Sequence, residues 1–166
     1  MVNMQKLQAM FEIINDSEKK IHGFLPERTT DLATGYDVRN AGENLVIKPF
    51  QYIKIPLGFK CIIPEGYWFF LVPRSSTFGK KHLHCLYGTV DQDFENFWFF
   101  AGQYITENEF TDAPYLGIAH GDRIAQIILL PRYEFEAIAI DSSEFAKLSK
   151  ERCSKRGEGF GSSGDK

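Results

Sequence analysis

The sequence predicts an all-β protein, built as a sandwich or a barrel. From about residue 25 to residue 140, short apolar runs alternate with turn residues such as Pro56-Leu57-Gly58, Pro64-Glu65-Gly66 and Gly121-Asp122. Short strands separated by turns at this spacing are typical of sandwiches and barrels. No long helical pattern lies between the runs, which disfavours a parallel α/β sheet. The fifteen Phe, seven Tyr and two Trp residues also favour strands.

Composition narrows the class of protein. The 166 residues suit one domain, and the net charge of −3 disfavours a general nucleic-acid binder. No apolar run approaches the ~20 residues of a membrane helix, and residues 1–6 show no secretory signal. The three cysteines are widely spaced and lack a Cys-x-x-Cys pair, so neither a disulfide nor a structural zinc site is expected. These features favour a cytoplasmic location.

Individual elements follow from periodicity and turn residues. Apolar residues spaced by three and four predict a helix over residues 3–15, with Asn3 as its N-cap. A second short helix is predicted over 143–150. The predicted strands are 44–48, 51–56, 59–63, 67–72, 82–87, 96–101, 115–118, 123–130 and 133–139.

Two of these runs, 67–72 and 97–101, are apolar on both faces. Strands of this kind are buried on both sides. Contact with another copy of the chain would explain that burial, and an exceptionally deep core would explain it equally well.

The stretch Cys85–Phe94 carries the clearest chemical signal. An apolar run meets Gly88 and is followed by Asp91 and Asp93. The two carboxylates share a face if the strand continues, and they lie at the rim of a sheet if it ends at the glycine. Rims often hold functional groups, although a solvated acidic turn gives the same pattern.

The end of the chain, residues 155–164, is rich in glycine around Phe160. This composition indicates either a linker or a segment that folds over a ligand with a ring and phosphates. We therefore predict a helical N-terminal extension over 1–22, a β core over 23–150 and a flexible arm over 151–166.

Five ordered stretches together resemble the motifs of the homotrimeric dUTPase family, particularly its branch in Gram-positive bacteria and their phages. The stretches are Ala33-Thr34-Gly35-Tyr36-Asp37-Val38, Pro73-Arg74-Ser75-Ser76, Gly88-Thr89-Val90-Asp91-Gln92-Asp93-Phe94, Gly121-Asp122-Arg123-Ile124-Ala125-Gln126 and Arg156-Gly157-Glu158-Gly159-Phe160-Gly161-Ser162-Ser163-Gly164. The resemblance implies a jelly-roll-like sandwich that hydrolyses dUTP to dUMP and pyrophosphate.

The resemblance also implies roles for particular residues. Asp91 would be the base for a water that attacks the α-phosphorus, and Asp37 would hold Mg²⁺ through a water. Arg123 would be structural. The implied phosphate contacts are Arg74, Ser75 and Gln126, and Ser76 is a further implied substrate-binding residue.

The nucleoside would be read by one strand and covered by the arm. Main-chain groups of residues 86–90, including Gly88 and Val90, would bind uracil, and Phe94 would lie under the deoxyribose. The arm would supply Arg156 or Lys155 to the terminal phosphate and Phe160 to the base; its site residues are Arg156, Phe160, Gly161 and Ser162. These parts come from three chains in the family, which implies a homotrimer with shared sites.

The sequence departs from the family pattern at Ser76, usually Gly, at Cys85, usually Asn, and at Phe94, usually Tyr. Asn96 replaces another Gly, and the spacing from Arg156 to Phe160 is one residue shorter than is common.

Two alternatives remain. A dCTP deaminase would need a carboxylate near Ala101, where none is present. A nucleotide-binding interaction module would keep the pocket, and region 103–118 could carry a contact to a regulatory protein that the sequence does not identify. Neither a membrane nor direct nucleic-acid contact is expected.

Overall fold

A computed structural model describes residues 7–106 and 115–152, and it confirms the all-β prediction, with 41% strand and 11% helix. The first compact unit ends at Tyr133 and the second begins at Glu134. The elements are β1 (Met10–Ile13), β2 (Asn15–Asp16), β3 (Ile21–His22), β4 (Tyr36–Arg39), β5 (Leu45–Ile47), β6 (Tyr52–Pro56), β7 (Phe59–Ile62), β8 (Tyr67–Pro73), α1 (Ser75–Gly79), β9 (Leu83–Cys85), β10 (Gly88–Val90), β11 (Phe99–Tyr104), β12 (Leu116–Ile118), β13 (Arg123–Pro131) and α2 (Ser142–Arg152).

Antiparallel pairing organises the first unit. Its largest sheet has the order β10-β8-β13-β4, and a second sheet has the order β6-β11-β9. Three two-stranded pairs, β12-β5, β1-β7 and β2-β3, complete the jelly-roll-like fold. None of the described helices is long and apolar enough to cross a membrane.

The core is built by alternation along the strands. In β6, Ile53 and Ile55 are buried while Lys54 between them is exposed. Opposite them, Phe100 of β11 is buried, and Trp98 packs against Phe59 at a ring-centroid distance of 5.2 Å. Each such apolar side chain stabilises the fold by roughly 1.5–3 kcal/mol on burial.

The helix predicted over 3–15 is wrong for the described residues. Met10–Ile13 form a strand that pairs with β7, with Met10 opposite Ile62. Phe11 points inward and meets Phe59 at 5.4 Å, whereas Met10 is 58% exposed. The edge of β7 offers backbone partners that a helix could not use, and pairing with it overrides the local periodicity. Asn3 lies outside the described residues.

Two other predicted elements differ from the structure. The strand predicted over 96–101 is shifted, because β11 runs from Phe99 to Tyr104. The strand predicted over 133–139 is wrong: residues 132–141 form no strand.

The predicted second helix is present as α2. The Asp141 carboxylate caps it, with Oδ1 accepting the backbone N–H of Ser143 at 2.8 Å and of Glu144 at 2.9 Å. The Glu144 N–H, with the hydroxyl and N–H of Ser143, lowers the pKa of Asp141. A side-chain oxygen in this position satisfies donors that the first helical turn leaves free.

The run 97–101 is apolar on both faces, but one chain buries only one of them. Trp98 and Phe100 are 2% and 1% exposed, whereas Phe97 and Phe99 are 37% and 38% exposed. Lysines partly cover the outer rings, with Lys60 Nζ 5.0 Å from the Phe97 centroid and Lys54 Nζ 4.2 Å from that of Phe99. Burial of this outer face by another copy stays a prediction.

Candidate active site

The carboxylate of Asp91 lies at the rim of a sheet. Strand β10 starts at Gly88, pairs with β8 and ends at Val90, so Asp91 is the first residue of the following turn. The turn is closed by the N–H of Phe94, which donates to the Asp91 carbonyl at 3.1 Å. The Gln92 side chain accepts the N–H of Gly66 at 2.9 Å and ties the turn to the start of β8. These contacts hold an exposed carboxylate on a fixed backbone.

A cleft of about 260 Å³ opens beside this carboxylate. We call it the β10 cleft; it is lined by Leu71, Gly88, Thr89, Val90, Asp91, Phe94, Phe97, Trp98 and Phe99. Its walls are mainly aromatic and aliphatic, with one carboxylate at the mouth. This combination suits a ligand that has a flat ring and a reactive polar end.

Cys85 lies just before the cleft-lining strand, at the end of β9, and is 4% exposed. Burial raises the pKa of its thiol to about 11, so the group is a neutral thiol at physiological pH. A neutral thiol is only a weak hydrogen-bond donor. At the position where the resemblance expects an amide, this chain therefore offers little side-chain recognition.

A second group of polar side chains surrounds Asp37 on β4. Its Oδ1 pairs with Arg74 Nε at 2.8 Å, and its Oδ2 pairs with Arg123 Nη1 at 3.2 Å. The Thr29 hydroxyl lies 3.1 Å from the same Oδ2. We call Thr29, Asp37, Arg74 and Arg123 the Asp37 cluster. Asp37 is 8% exposed, and one carboxylate facing two guanidinium groups leaves the cluster with excess positive charge.

Other predicted substrate-binding residues lie next to this cluster. Gln126 on β13 is directly opposite Asp37, and its Nε2 donates to the Pro73 carbonyl at 3.4 Å. Ser75 and Ser76 open α1 immediately after Arg74. The cluster therefore presents donors and positive charge at one end of β8, as an anion such as a polyphosphate requires.

The register of β8 shows that Asp91 and Arg74 are far apart in one chain. Val90 is opposite Phe69, whereas Ala125, beside Gln126, is opposite Pro73. Phe69 and Pro73 are four residues apart, about 13 Å along a strand. Asp91 and Arg74 lie beyond these two points in opposite directions. One chain therefore holds two half-sites and does not bring them together.

Sequence reasoning missed Thr29, whose hydroxyl contacts both Asp37 and Arg123; a threonine in a loop gives no signal of such a contact. The predicted arm residues Arg156, Phe160, Gly161 and Ser162, with Lys155, lie outside the described residues. Within 7–106 and 115–152, no group of three or more His, Cys, Asp or Glu side chains could hold a metal ion.

Because Gly35 has no side chain, it leaves room for the side chain of Gln126. A Cβ at Gly35 would collide with Oε1 of Gln126 and approach its Cβ to 3.2 Å. We expect Gly35→Ala to displace the Gln126 side chain. In an assay of pyrophosphate release from dUTP, the substrate that the resemblance implies, the variant should lower kcat/KM by roughly 10- to 100-fold, because small misplacements of positioning groups are costly. Gly117→Ala is the matched control, since nothing lies within 4 Å of a Cβ there. Equal loss of activity in both variants would refute the role of the contact.

The fold and the two half-sites define a class of protein, a β-rich protein whose aromatic cleft and cationic cluster suit a ligand with a flat ring and an anionic group. Comparison with known proteins identifies the family: the dUTPase family model matches residues 22–164, and the chain belongs to the dUTPase family.

Relatives agree with this assignment, and a solved structure shares the fold. The chain is 32% identical over 159 residues to a deoxyuridine 5'-triphosphate nucleotidohydrolase of Finegoldia magna, covering 92% of this chain and 97% of the relative. It is 32% identical over 146 residues to that of Chlamydia abortus, covering 86% and 92%. A Staphylococcus bacteriophage 80alpha dUTPase solved with dUpNHpp shares the fold, with a TM-score of 0.76 and 24% identity over 96% of this chain and 100% of that one.

Proposed function

We propose that this chain hydrolyses dUTP to dUMP and pyrophosphate, by attack of water on the α-phosphorus. The observation that carries the proposal is the Asp91 carboxylate at the mouth of the β10 cleft, in a chain of the dUTPase family. A carboxylate there can orient a water and accept its proton as the phosphorus is attacked.

Main-chain groups of β10 would recognise the base through hydrogen bonds. This strand is at the edge of its sheet, so one side of its backbone has no neighbouring strand among the described residues. Such an edge presents N–H and C=O groups that can match the donor and acceptors of uracil, as another strand would. Gly88 and Val90 lie within this edge and line the cleft. With a buried thiol at Cys85, recognition rests on the backbone.

Phe94 would select against a ribose. Its ring is 40% exposed at the cleft, beside Asp91. A ring packed under the deoxyribose leaves no polar partner and little room for a 2′-hydroxyl, so burial of that hydroxyl would be unfavourable.

The phosphates would be bound by the Asp37 cluster and the residues next to it. Arg74, Ser75, Ser76 and Gln126 supply donors there, and both guanidinium groups offset the charge of the triphosphate. Strong preorganised donors of this kind stabilise the charge that builds up on phosphate oxygens in the transition state.

Asp37 fits the predicted contact to Mg²⁺ only through water. A carboxylate offers about four acceptor positions, and Arg74, Arg123 and Thr29 occupy three of them. One position remains on Oδ1, enough to hold a water ligand of an ion carried by the phosphates. When bound, Mg²⁺ would neutralise phosphate charge.

Because Asp91 and the Asp37 cluster lie at opposite ends of β8, a complete site needs Asp91 from one copy and the Asp37 cluster from another. We therefore propose a homotrimer with shared sites. The arm, through Arg156, Phe160, Gly161 and Ser162, would close over the nucleotide and exclude bulk water.

Pyrophosphate release from dUTP, UTP, dCTP and dTTP with Mg²⁺ tests the proposal. We expect kcat/KM for dUTP to exceed that for UTP by roughly 10²-fold, because an apolar pocket rejects an added hydroxyl only to this extent. Chelation of Mg²⁺ should greatly reduce the rate. Comparable kcat/KM for dCTP and dUTP would show that the uracil assignment is wrong.

A further inference from the structure

The segment over residues 28–36 is a loop that ends in the first residue of β4, and it leads directly into the Asp37 cluster. Its two ends are joined by backbone hydrogen bonds between Glu27 and Asp37, at 3.2 and 2.7 Å. Within it, Arg28 lies 5.2 Å from the centroid of the Tyr36 ring and donates to the Asp31 carbonyl at 2.9 Å. These contacts close the loop on itself, so a side chain on it can be held in a defined place.

Thr29 uses that placement to bridge two charged groups. Its hydroxyl lies 3.1 Å from Asp37 Oδ2, to which it donates, and it accepts a longer contact from Arg123 Nη1 at 3.4 Å. A hydroxyl has one donor and two acceptor positions, so both contacts can be made together. The same carboxylate oxygen also receives Arg123 directly at 3.2 Å. Oδ2 is thus fixed from two sides.

The other oxygen of Asp37 determines where Arg74 points. Among the described residues, the Arg74 guanidinium pairs with Asp37 alone, and it does so through Nε. Its two terminal nitrogens are left for a ligand, and together they form the fork that binds phosphate in two-pronged fashion. Rotation of the Asp37 carboxylate would move Oδ1 and turn this fork.

We infer that Thr29 is a positioning residue for phosphate binding: by holding Oδ2 of Asp37, it fixes Oδ1 and so aims the Arg74 fork at the substrate. The inference rests on the proposed function, and it assigns Thr29 no contact with the nucleotide. Thr29 is exposed, so water replaces part of its contact when the hydroxyl is removed. A moderate effect of three- to tenfold is therefore expected, smaller than the loss of Arg74 itself.

The test compares Thr29→Val, which keeps the shape and removes the hydroxyl, with Thr29→Ser, which keeps the hydroxyl. Affinity for inorganic tripolyphosphate is measured by calorimetry, because this probe reports on the phosphate half-site without a base. We expect Thr29→Val to weaken tripolyphosphate binding and kcat/KM for dUTP by three- to tenfold, with Tm near that of the parent. Thr29→Ser should restore both. Thr30→Val, one residue along the same loop, is the matched control and should behave as the parent.

Coupling with Arg74 separates positioning from a general effect on the fold. In an Arg74→Gln background, Thr29→Val should cause no further loss, because the group that it positions is absent. An additive loss there, or equal losses in the Val and Ser variants, would overturn the inference. If the parent fails to release pyrophosphate from dUTP yet its tripolyphosphate affinity depends on Thr29 as described, the inference holds and the proposed function fails.

Discussion

Replacing Asp91 by Asn is expected to lower kcat for dUTP by roughly 10²–10⁴-fold, the usual contribution of a general base. The amide keeps the size and shape of the carboxylate but cannot accept the proton of the attacking water. The turn itself is held by backbone and Gln92 contacts that the change leaves in place, namely Phe94 N–H to the Asp91 carbonyl and Gly66 N–H to Gln92. Affinity for dUpNHpp should therefore change little.

Asp93→Asn is the matched control, since Asp93 is an exposed carboxylate in the same turn and does not line the β10 cleft. Steady-state pyrophosphate release measures kcat, and calorimetry with dUpNHpp measures affinity. Asp93→Asn should turn over within a few-fold of the parent. The reverse pattern, with Asp91→Asn active and Asp93→Asn inactive, would move the base to Asp93.

The elements that sequence reasoning predicted well are those in which local pattern and tertiary pairing agree. In β6 the alternation of Ile53, Lys54 and Ile55 matches its burial in the structure. At β1 the two disagree, because Met10 and Phe11 fit a helical stripe yet take opposite faces of a strand once β7 is their partner. Spacing alone carries no information about which edge is available to pair with.

Prediction of the candidate site from the sequence has a related limit. Motifs give the identities of Asp91, Arg74 and Asp37, but their distance apart depends on the register between β10, β8 and β13. That register is fixed by which residues face the core, and no motif contains it. The contact of Thr29 with Asp37 depends on loop closure between Glu27 and Asp37, which is equally invisible in the sequence.

The separation of the half-sites leads to a second large effect, the rescue of one inactive variant by another. Arg74→Gln removes the phosphate fork and should lower kcat/KM by roughly 10²-fold or more. It leaves the β10 cleft intact, just as Asp91→Asn leaves the Asp37 cluster intact. In a cyclic trimer, the intact cleft of an Arg74→Gln chain can then face the intact cluster of a neighbouring Asp91→Asn chain.

Coexpression of the two variants under different affinity tags, followed by purification through both tags in turn, isolates the mixed trimers. Each mixed trimer contains a single site with two intact halves, so it should show about one third of the parent's activity. In an unfractionated equal mixture about three quarters of the trimers are mixed, so that mixture should show about one quarter of the parent's activity. Each variant purified alone supplies the baseline. Arg74 and Asp91 of the same chain are separated by more than about 13 Å along β8, so they should not act together in one site. Activity of the mixed trimers no greater than this baseline would show that each site is completed within one chain.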